Sequence, residues 1–268
     1  LFLLHVMNDN AELLPADEVR GLGTYATSDR LQERFGEDAT VISIGQAGEG
    51  LMTGAGICVT GEGDQRSNHA ARGGLGAVMG SKGLKAIVID KPATRKIPLA
   101  DAKLFQTASR AFAQKLINDP KLGTQGAQHL YGTASIVGAV NEMGSMPTRN
   151  FSDGNFEQAA ELRGEHLREL ILSTDGKVGT RCMPGCVIAC RNAYTDETGK
   201  PMGGTIQYET IALVGSNLGL GSLEQVAALN YTCNDFGLDT IETGAALGVA
   251  IEAGLAEYGN FESILALL

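Results

Sequence analysis

Positive charge is scarce in this chain: Lys and Arg number 21 against 31 Asp and Glu, a formal net charge of −10. A nucleic-acid binder carries a basic footprint, so that class of partner is not expected. No apolar run approaches the roughly 18 to 20 residues needed to span a bilayer, so no membrane insertion is expected either. Residues 1–7 are too short for a signal-peptide core, have no basic flank and lack a small-residue cleavage site. They read as a strand. There is no repeat of 20 to 50 residues and no low-complexity tract. An initiator Met is also missing, and residues 261–268 stop within a helical pattern without a cap signal, as expected for a piece of a longer polypeptide.

What is present describes a globular chain, 43% hydrophobic and 19% charged, and 268 residues allow one or two domains. Glycine stands out at 36 residues, about double the usual share of roughly 7%. Many backbone positions must therefore need positive φ or close approach. The five cysteines, 58, 182, 186, 190 and 233, are odd in number, with three inside nine residues. That is the arithmetic of a metal site rather than of a disulfide framework, and it implies a reducing, cytoplasmic compartment.

Residues 1 to about 95 alternate short β-rich runs with glycine turns. Two runs, 1–6 and 11–14, flank an Asn8-Asp9-Asn10 turn as a hairpin. Ser28 is expected to cap a short helix ending at Gly36, with strands at 40–44 and 85–90, the second closed by Pro92. This is an α+β region. Composition shifts at 91–98, where a domain boundary is placed, and the periodicity then lengthens to that of helices. One runs from Asp101 to about Asn118. Ser222-x-x-Gln225 starts another with Val226, Leu229, Cys233 and Phe236 on one stripe, and Asp239-x-x-Glu242 starts the next, whose Gly244 and Gly248 leave room for a close neighbour.

Several segments could carry chemistry. Cys182, Cys186 and Cys190 form C-x3-C-x3-C, with a turn at Pro184-Gly185 that lets thiolates converge on a soft metal. An iron-sulfur cluster suits them better than zinc, which favours C-x2-C pairs or a nearby His; unliganded core cysteines are the plain alternative. The glycine-rich run 72–82, holding Arg72, Gly73, Gly74, Gly76, Gly80 and Lys82, leads into a short helix. Its backbone can face phosphate or simply form a packing turn. It matches neither the P-loop nor the dinucleotide fingerprint. Residues 234–239 are a Gly C-cap followed by an Asp N-cap, and their polar groups could also hold a ligand. Glu209, among apolar neighbours, is by itself more often a cap or surface group than a catalyst.

Together these blocks resemble the tungsten- or molybdenum-pterin aldehyde ferredoxin oxidoreductase family. The resemblance runs through 71–82 with 84–87, Met146-Pro147-Thr148-Arg149-Asn150-Phe151, the cysteine triplet, Tyr208-Glu209-Thr210 with Gly215-Ser216-Asn217, and residues 230–239. The blocks keep the family's order across almost the whole chain.

The resemblance implies a pterin-cradling β-sheet domain in 1–95, where this chain holds its C-terminal half, and a mainly α-helical domain in 96–268 cut short at its C-terminus. It implies a tungsten or molybdenum bis-pterin with magnesium bridging its phosphates, beside a 4Fe-4S cluster. Aldehydes would be oxidised to carboxylic acids and electrons passed to ferredoxin or a ferredoxin-like subunit, in a protein for which homo-oligomerisation is compatible. Cys182, Cys186 and Cys190 would be cluster ligands, although the family spaces the first two one residue more tightly. Arg72, Gly73, Gly74 and Gly76 would face the cofactor, as would Asn234, Gly237, Leu238 and Asp239, with Asn234 standing for the family's first Asp. Glu209 would be the carboxylate near the metal. The fourth cysteine and the family's histidine have no counterpart here, and Cys58 and Cys233 are expected in the core. Two other readings stay open: a reductase of another substrate, such as an aromatic thioester, or an iron-sulfur relay subunit without the metal-pterin.

Overall fold

The computed structural model describes residues 1–60, 68–91 and 98–268. Strands β1 (Phe2–Val6), β2 (Ala11–Pro15), β3 (Thr40–Ser43), β4 (Ile57–Val59), β5 (Asn68–Ala70) and β6 (Leu84–Ile89) form one sheet in the order β2-β1-β6-β3-β4-β5. The β1–β2 hairpin closes as its Asn-Asp-Asn turn suggests, with Val6 opposite Ala11. Of these described pairs β1–β6 is parallel and the others are antiparallel. Pro92 and most of the boundary placed at 91–98 lie outside the described residues.

Helix α1 (Thr24–Phe35) covers one face of the sheet, where Leu31 meets Leu3, Val41, Ala86 and Val88, all fully buried. Each such aliphatic side chain gives roughly 1.5 to 3 kcal/mol on burial. The helix begins four residues before Ser28, which lies buried inside it, so the expected cap is incorrect. The residue before Thr24 is Gly23, which has no side chain to cap with, and the carboxylate of Asp235, more than two hundred residues downstream, accepts from Tyr25 N at 3.2 Å instead. A cap supplied from so far along the chain leaves no local signal. Two short helices, α2 (Gln46–Glu49) and α3 (Leu75–Ser81), cross almost in backbone contact: a Cβ on Gly80 would lie 2.0 Å from Gly48 O.

The rest of the chain is mainly helical: α4 (Ala102–Ile117), α5 (Ala127–Tyr131), α6 (Val137–Glu142), α7 (Gly164–Leu172), α8 (Tyr208–Val214), α9 (Leu223–Phe236), α10 (Thr240–Glu252) and α11 (Phe261–Leu265). A small hairpin, β7 (Lys177–Thr180) with β8 (Arg191–Ala193), interrupts them and was not anticipated. Three caps legible in the sequence form: Asp101 accepts from Leu104 N, Ser222 from Gln225 N and Asp239 from Glu242 N. Val226 and Leu229 are fully buried in the helical core with Ile211, Leu218 and Phe156, while Cys233 on the same stripe is fully buried outside that cluster and Phe236 is half-buried. Gly244 and Gly248 do admit close neighbours, since added Cβ atoms would lie 2.3 Å from Leu213 O and 2.7 Å from Asn150 Oδ1.

Arg149, Asn150 and Phe151 take positive φ of 45°, 53° and 60° in succession, which costs non-glycine residues roughly 1 to 2 kcal/mol each. They are held by Arg149 N donating to Ser216 O and Asn150 N to Asn217 O. Two segments distant in sequence thereby fix one another.

One charge sits inside the sheet region. Lys85 on β6 has a fully buried side chain whose Nζ donates to Leu22 O at 2.9 Å and pairs with Glu49 Oε1 at 2.6 Å. Burial lowers the Lys85 pKa, and Glu49 opposes that shift. Removing one partner of a buried pair strands the other, at about 3 to 5 kcal/mol. Glu49→Ala should therefore lower unfolding stability by about 3 kcal/mol in urea titrations, and adding Lys85→Met should recover most of it. A loss below about 1 kcal/mol in the single variant would show that water or another group already compensates Lys85.

Candidate functional site

Residues 234–239 join α9 to α10 and form the contact between the helical and sheet regions. Gly237 ends α9 in the left-handed conformation, φ +75°, and an added Cβ there would lie 2.8 Å from Gly45 N. Main-chain bonds fasten the junction to the loop before β4: Gly56 N donates to Gly237 O at 2.8 Å, Asp239 N donates to Gly54 O at 3.0 Å, and Ala55 bridges Leu238. Thr24 Oγ1 donates to Asn234 O at 2.9 Å from the sheet side. Asp239 is buried; one carboxylate oxygen caps α10 and the other lies 3.6 Å from Arg72 Nε.

Beside this junction lies a cavity of about 290 Å³ whose wall comes from both regions. It gathers Arg72, Cys182, Cys190, Glu209, Asn234, Leu238 and Asp239 from the residues singled out in the sequence. The wall also includes His69, Arg191 and Asn230, which sequence reasoning missed. Several of its polar atoms are shut off from solvent with no hydrogen-bond partner among the described residues: Glu209 Oε2, Asn230 Nδ2 and both ring nitrogens of His69. Buried polar atoms are nearly always paired, so this group leaves bonds for water or a polar ligand to complete. Burial, followed by the nearby Arg191 charge, pushes the His69 pKa down to about 4. Arg191 is itself buried, with Nε on Thr205 Oγ1 at 2.8 Å and Nη1 on Asn68 Oδ1 at 2.5 Å. Glu209 sits in the first turn of α8, whose Tyr208 N is tied to Thr133 Oγ1 at 2.9 Å.

The cysteine triplet occupies the loop between β7 and β8. Gly185 turns at φ +79° as its Pro-Gly pair suggests, and Ala189 also takes positive φ, 49°. A backbone hydrogen bond from Ala189 draws the Cys186 thiol below its ordinary range, with Ile188 and Cys182 adding to it against burial. Burial raises Cys190, with the Cys186 and Cys182 charges acting in the same sense. His129 reaches this loop but bonds the Ile188 carbonyl, at 2.7 Å, rather than a sulfur. Among the described residues no three Cys, His, Asp or Glu side chains close around a common metal position. Cys58 and Cys233 are fully buried elsewhere, each thiol pushed up to about 12 by burial.

The glycine turn divides into two parts. Packing accounts for Gly76, whose Cβ would lie 2.3 Å from Gly56 O, and for Gly74, at φ +66° and 2.9 Å from Thr53 O. Gly73, at φ +93°, would meet nothing within 4 Å. It is the glycine of the turn with open space before it.

Residues 1–91 match the family model "Aldehyde ferredoxin oxidoreductase, N-terminal domain", and residues 107–264 match "Aldehyde ferredoxin oxidoreductase, domains 2 & 3". The chain belongs to the aldehyde ferredoxin oxidoreductase family. It is 36% identical over 250 residues to the tungsten-containing aldehyde ferredoxin oxidoreductase of Thermococcus kodakarensis, covering 93% of this chain and 39% of that protein. Identity to the Pyrococcus furiosus protein of the same name is 35%, over 97% of this chain and 40% of that protein. An aliphatic sulfonate oxidoreductase, WOR-like subunit, also from P. furiosus, is 27% identical over 93% of this chain and 40% of its own length. The solved active site complex BamBC of benzoyl coenzyme A reductase superposes with a TM-score of 0.76 at 20% identity, over 100% of this chain and 42% of that one, which establishes the shared fold. The chain thus spans about 40% of the length of the curated relatives it matches.

The His69 environment has a consequence for acid stability. With its folded pKa near 4 against 6.5 in the unfolded chain, the unfolded state binds the extra proton first as pH falls. Its contribution to stability should be intact above about pH 6.5, decline below that and level off near pH 4. His69→Phe should flatten this part of a stability profile measured by urea unfolding at successive pH values. An unchanged slope would place the titrating group elsewhere.

Proposed function

We propose that the protein containing this chain is a tungsten-pterin oxidoreductase that converts aldehydes to carboxylic acids and delivers the electrons through a 4Fe-4S cluster to ferredoxin. The observation that carries this reading is the cavity that brings Arg72, Asn234 and Asp239, Glu209, and two of three clustered thiols onto one wall. Its stranded polar atoms fit a large polar cofactor, and the three thiols of one loop supply a soft donor set of the iron-sulfur type. Molybdenum fits the same residues. The cytoplasm suits the reduced thiols, and among the described residues no helix is long and apolar enough to cross a membrane.

The roles divide by chemistry. Cys182, Cys186 and Cys190 would hold the cluster as thiolates, and the backbone donors at Ala189 and Ile188 favour that charged form at Cys186. Arg72 and the open face of Gly73 would meet cofactor phosphates, where magnesium would supply further positive charge, while Asn234 and the backbone at Gly237, Leu238 and Asp239 would bond the pterin edge. When bound, the metal-pterin supplies the two-electron acceptor. Conversion of an aldehyde and water to an acid releases two protons with those electrons, and the solvent-shielded Glu209 Oε2 would accept one or hold the attacking water.

Metal analysis of the anaerobically purified full-length protein should find tungsten together with iron and acid-labile sulfide. Iron alone would indicate an electron-relay subunit instead, and neither would overturn the reading. Cys186→Ser should remove the cluster's visible absorbance and iron. Glu209→Gln, with metal content verified as normal, should lower kcat for aldehyde oxidation by about 10² to 10⁴. A rate within about threefold of the parent would make Glu209 structural, well short of the usual general-base effect.

A further inference from the structure

Arg191 is a buried cation without an anion. Only 8% of the residue is exposed, and its two bonded donors, Nε and Nη1, go to the neutral oxygens of Thr205 and Asn68. A guanidinium carries five N–H donors, so the fork is only partly used. Among the described residues, no carboxylate pairs with it, and the thiols of Cys182 and Cys190 lie on the same cavity wall. An uncompensated buried charge is costly, and a chain retains one where an anion completes the site. Arg191 follows Cys190 directly, at the start of β8, and shares the cavity wall with Cys182 and Cys190. Its two neutral partners come from opposite sides, Asn68 from the edge strand β5 of the sheet and Thr205 from the segment before α8, so the fork is held from both regions.

We propose that Arg191 is the counter-charge of the thiolate cluster site, a positioning residue that raises the cluster's reduction potential and so makes it a better acceptor. This rests on the cluster reading given above. An iron-sulfur centre ligated by thiolates is anionic, and taking up one electron makes it more so. A fixed positive charge nearby in a low-dielectric wall stabilises the reduced form more than the oxidised form. The Thr205 and Asn68 bonds keep that charge in place without neutralising it, which a carboxylate partner would do. Burial, with the Arg191 charge adding to it, holds the His69 pKa down to about 4, so among the described residues of that part of the wall the positive charge is that of Arg191.

The test is an EPR-monitored redox titration of the full-length holoprotein and its Arg191→Gln and Arg191→Lys variants, with iron, sulfide and tungsten measured on each. Arg191→Gln is expected to keep its iron. At the potential where the parent cluster is half reduced, its reduced-to-oxidised ratio should fall about tenfold, equivalent to a midpoint lower by about 59 mV for one electron. Arg191→Lys, which keeps the charge, should restore most of that ratio. Iron lost from the Gln variant but kept in the Lys variant would also support a counter-charge. A ratio within about twofold of the parent in Arg191→Gln, with iron intact, would overturn the proposal, since a neighbouring unit charge should shift it well beyond that. Tungsten loss with an unmoved cluster potential would overturn it too, assigning the guanidinium to a cofactor phosphate. Iron lost from both variants would make Arg191 a packing residue. A parent without iron would instead overturn the cluster reading, a failure distinct from these.

Discussion

The helix that covers the sheet takes its N-terminal cap from a carboxylate of the helical region. Asp235, near the end of α9, accepts from Tyr25 N at the start of α1, a helix whose own N-cap position is a glycine. A Cβ on Gly23 would collide with that carboxylate at 2.2 Å, so the missing side chain is what lets the remote cap approach. Helix α1 in turn covers the sheet through Leu31. Sheet, helix and junction are thus linked in series, and the cavity beside Asp239 depends on that docking because its wall is drawn from both sides.

The same arrangement explains why acidic, basic and thiol groups coexist there. Asp239 is committed twice, to the cap of α10 and to Arg72, so its charge is balanced at the junction. Glu209, Asn230 and His69 are not so committed. The stable structural pairs therefore lie on the side where the regions meet, and the unpaired atoms lie around the open space. Paired and unpaired polar groups thus line the same cavity.

Much of this was readable from local spacing, because caps and turns are local. Asp101, Ser222 and Asp239 each bond a backbone N–H three residues ahead, and Gly237 supplies the left-handed stop its position suggested. Ser28 misled because a serine before a helical pattern looks the same whether the helix starts there or has already started. The real cap came from Asp235, and no window on the sequence spans that distance. The β7–β8 hairpin escaped notice because its strands are short and interrupted by a ten-residue thiol loop. His69, Asn230 and Arg191 were missed for a related reason. His69 and Arg191 are unremarkable among their sequence neighbours, and Asn230 was legible only as the first residue of the 230–239 block. What makes them notable is desolvation, which only the assembled wall imposes. The glycine turn, conversely, was legible as a block, but the sequence could not separate Gly76, required by packing, from Gly73, which faces open space.

The docking of the two regions is made largely by main-chain atoms: Gly56 N on Gly237 O, Asp239 N on Gly54 O, and the close pass of Gly45 against Phe236 O. Such contacts are indifferent to most side-chain identities and intolerant only of an added Cβ at a few glycines. Sequences sharing this scaffold can therefore drift far apart while the seam between their regions keeps its geometry. That is in keeping with a superposition scoring 0.76 between chains that share 20% of their residues. Evolution on such a scaffold is free to rewrite the cavity lining, and with it the chemistry, without renegotiating how the halves fit.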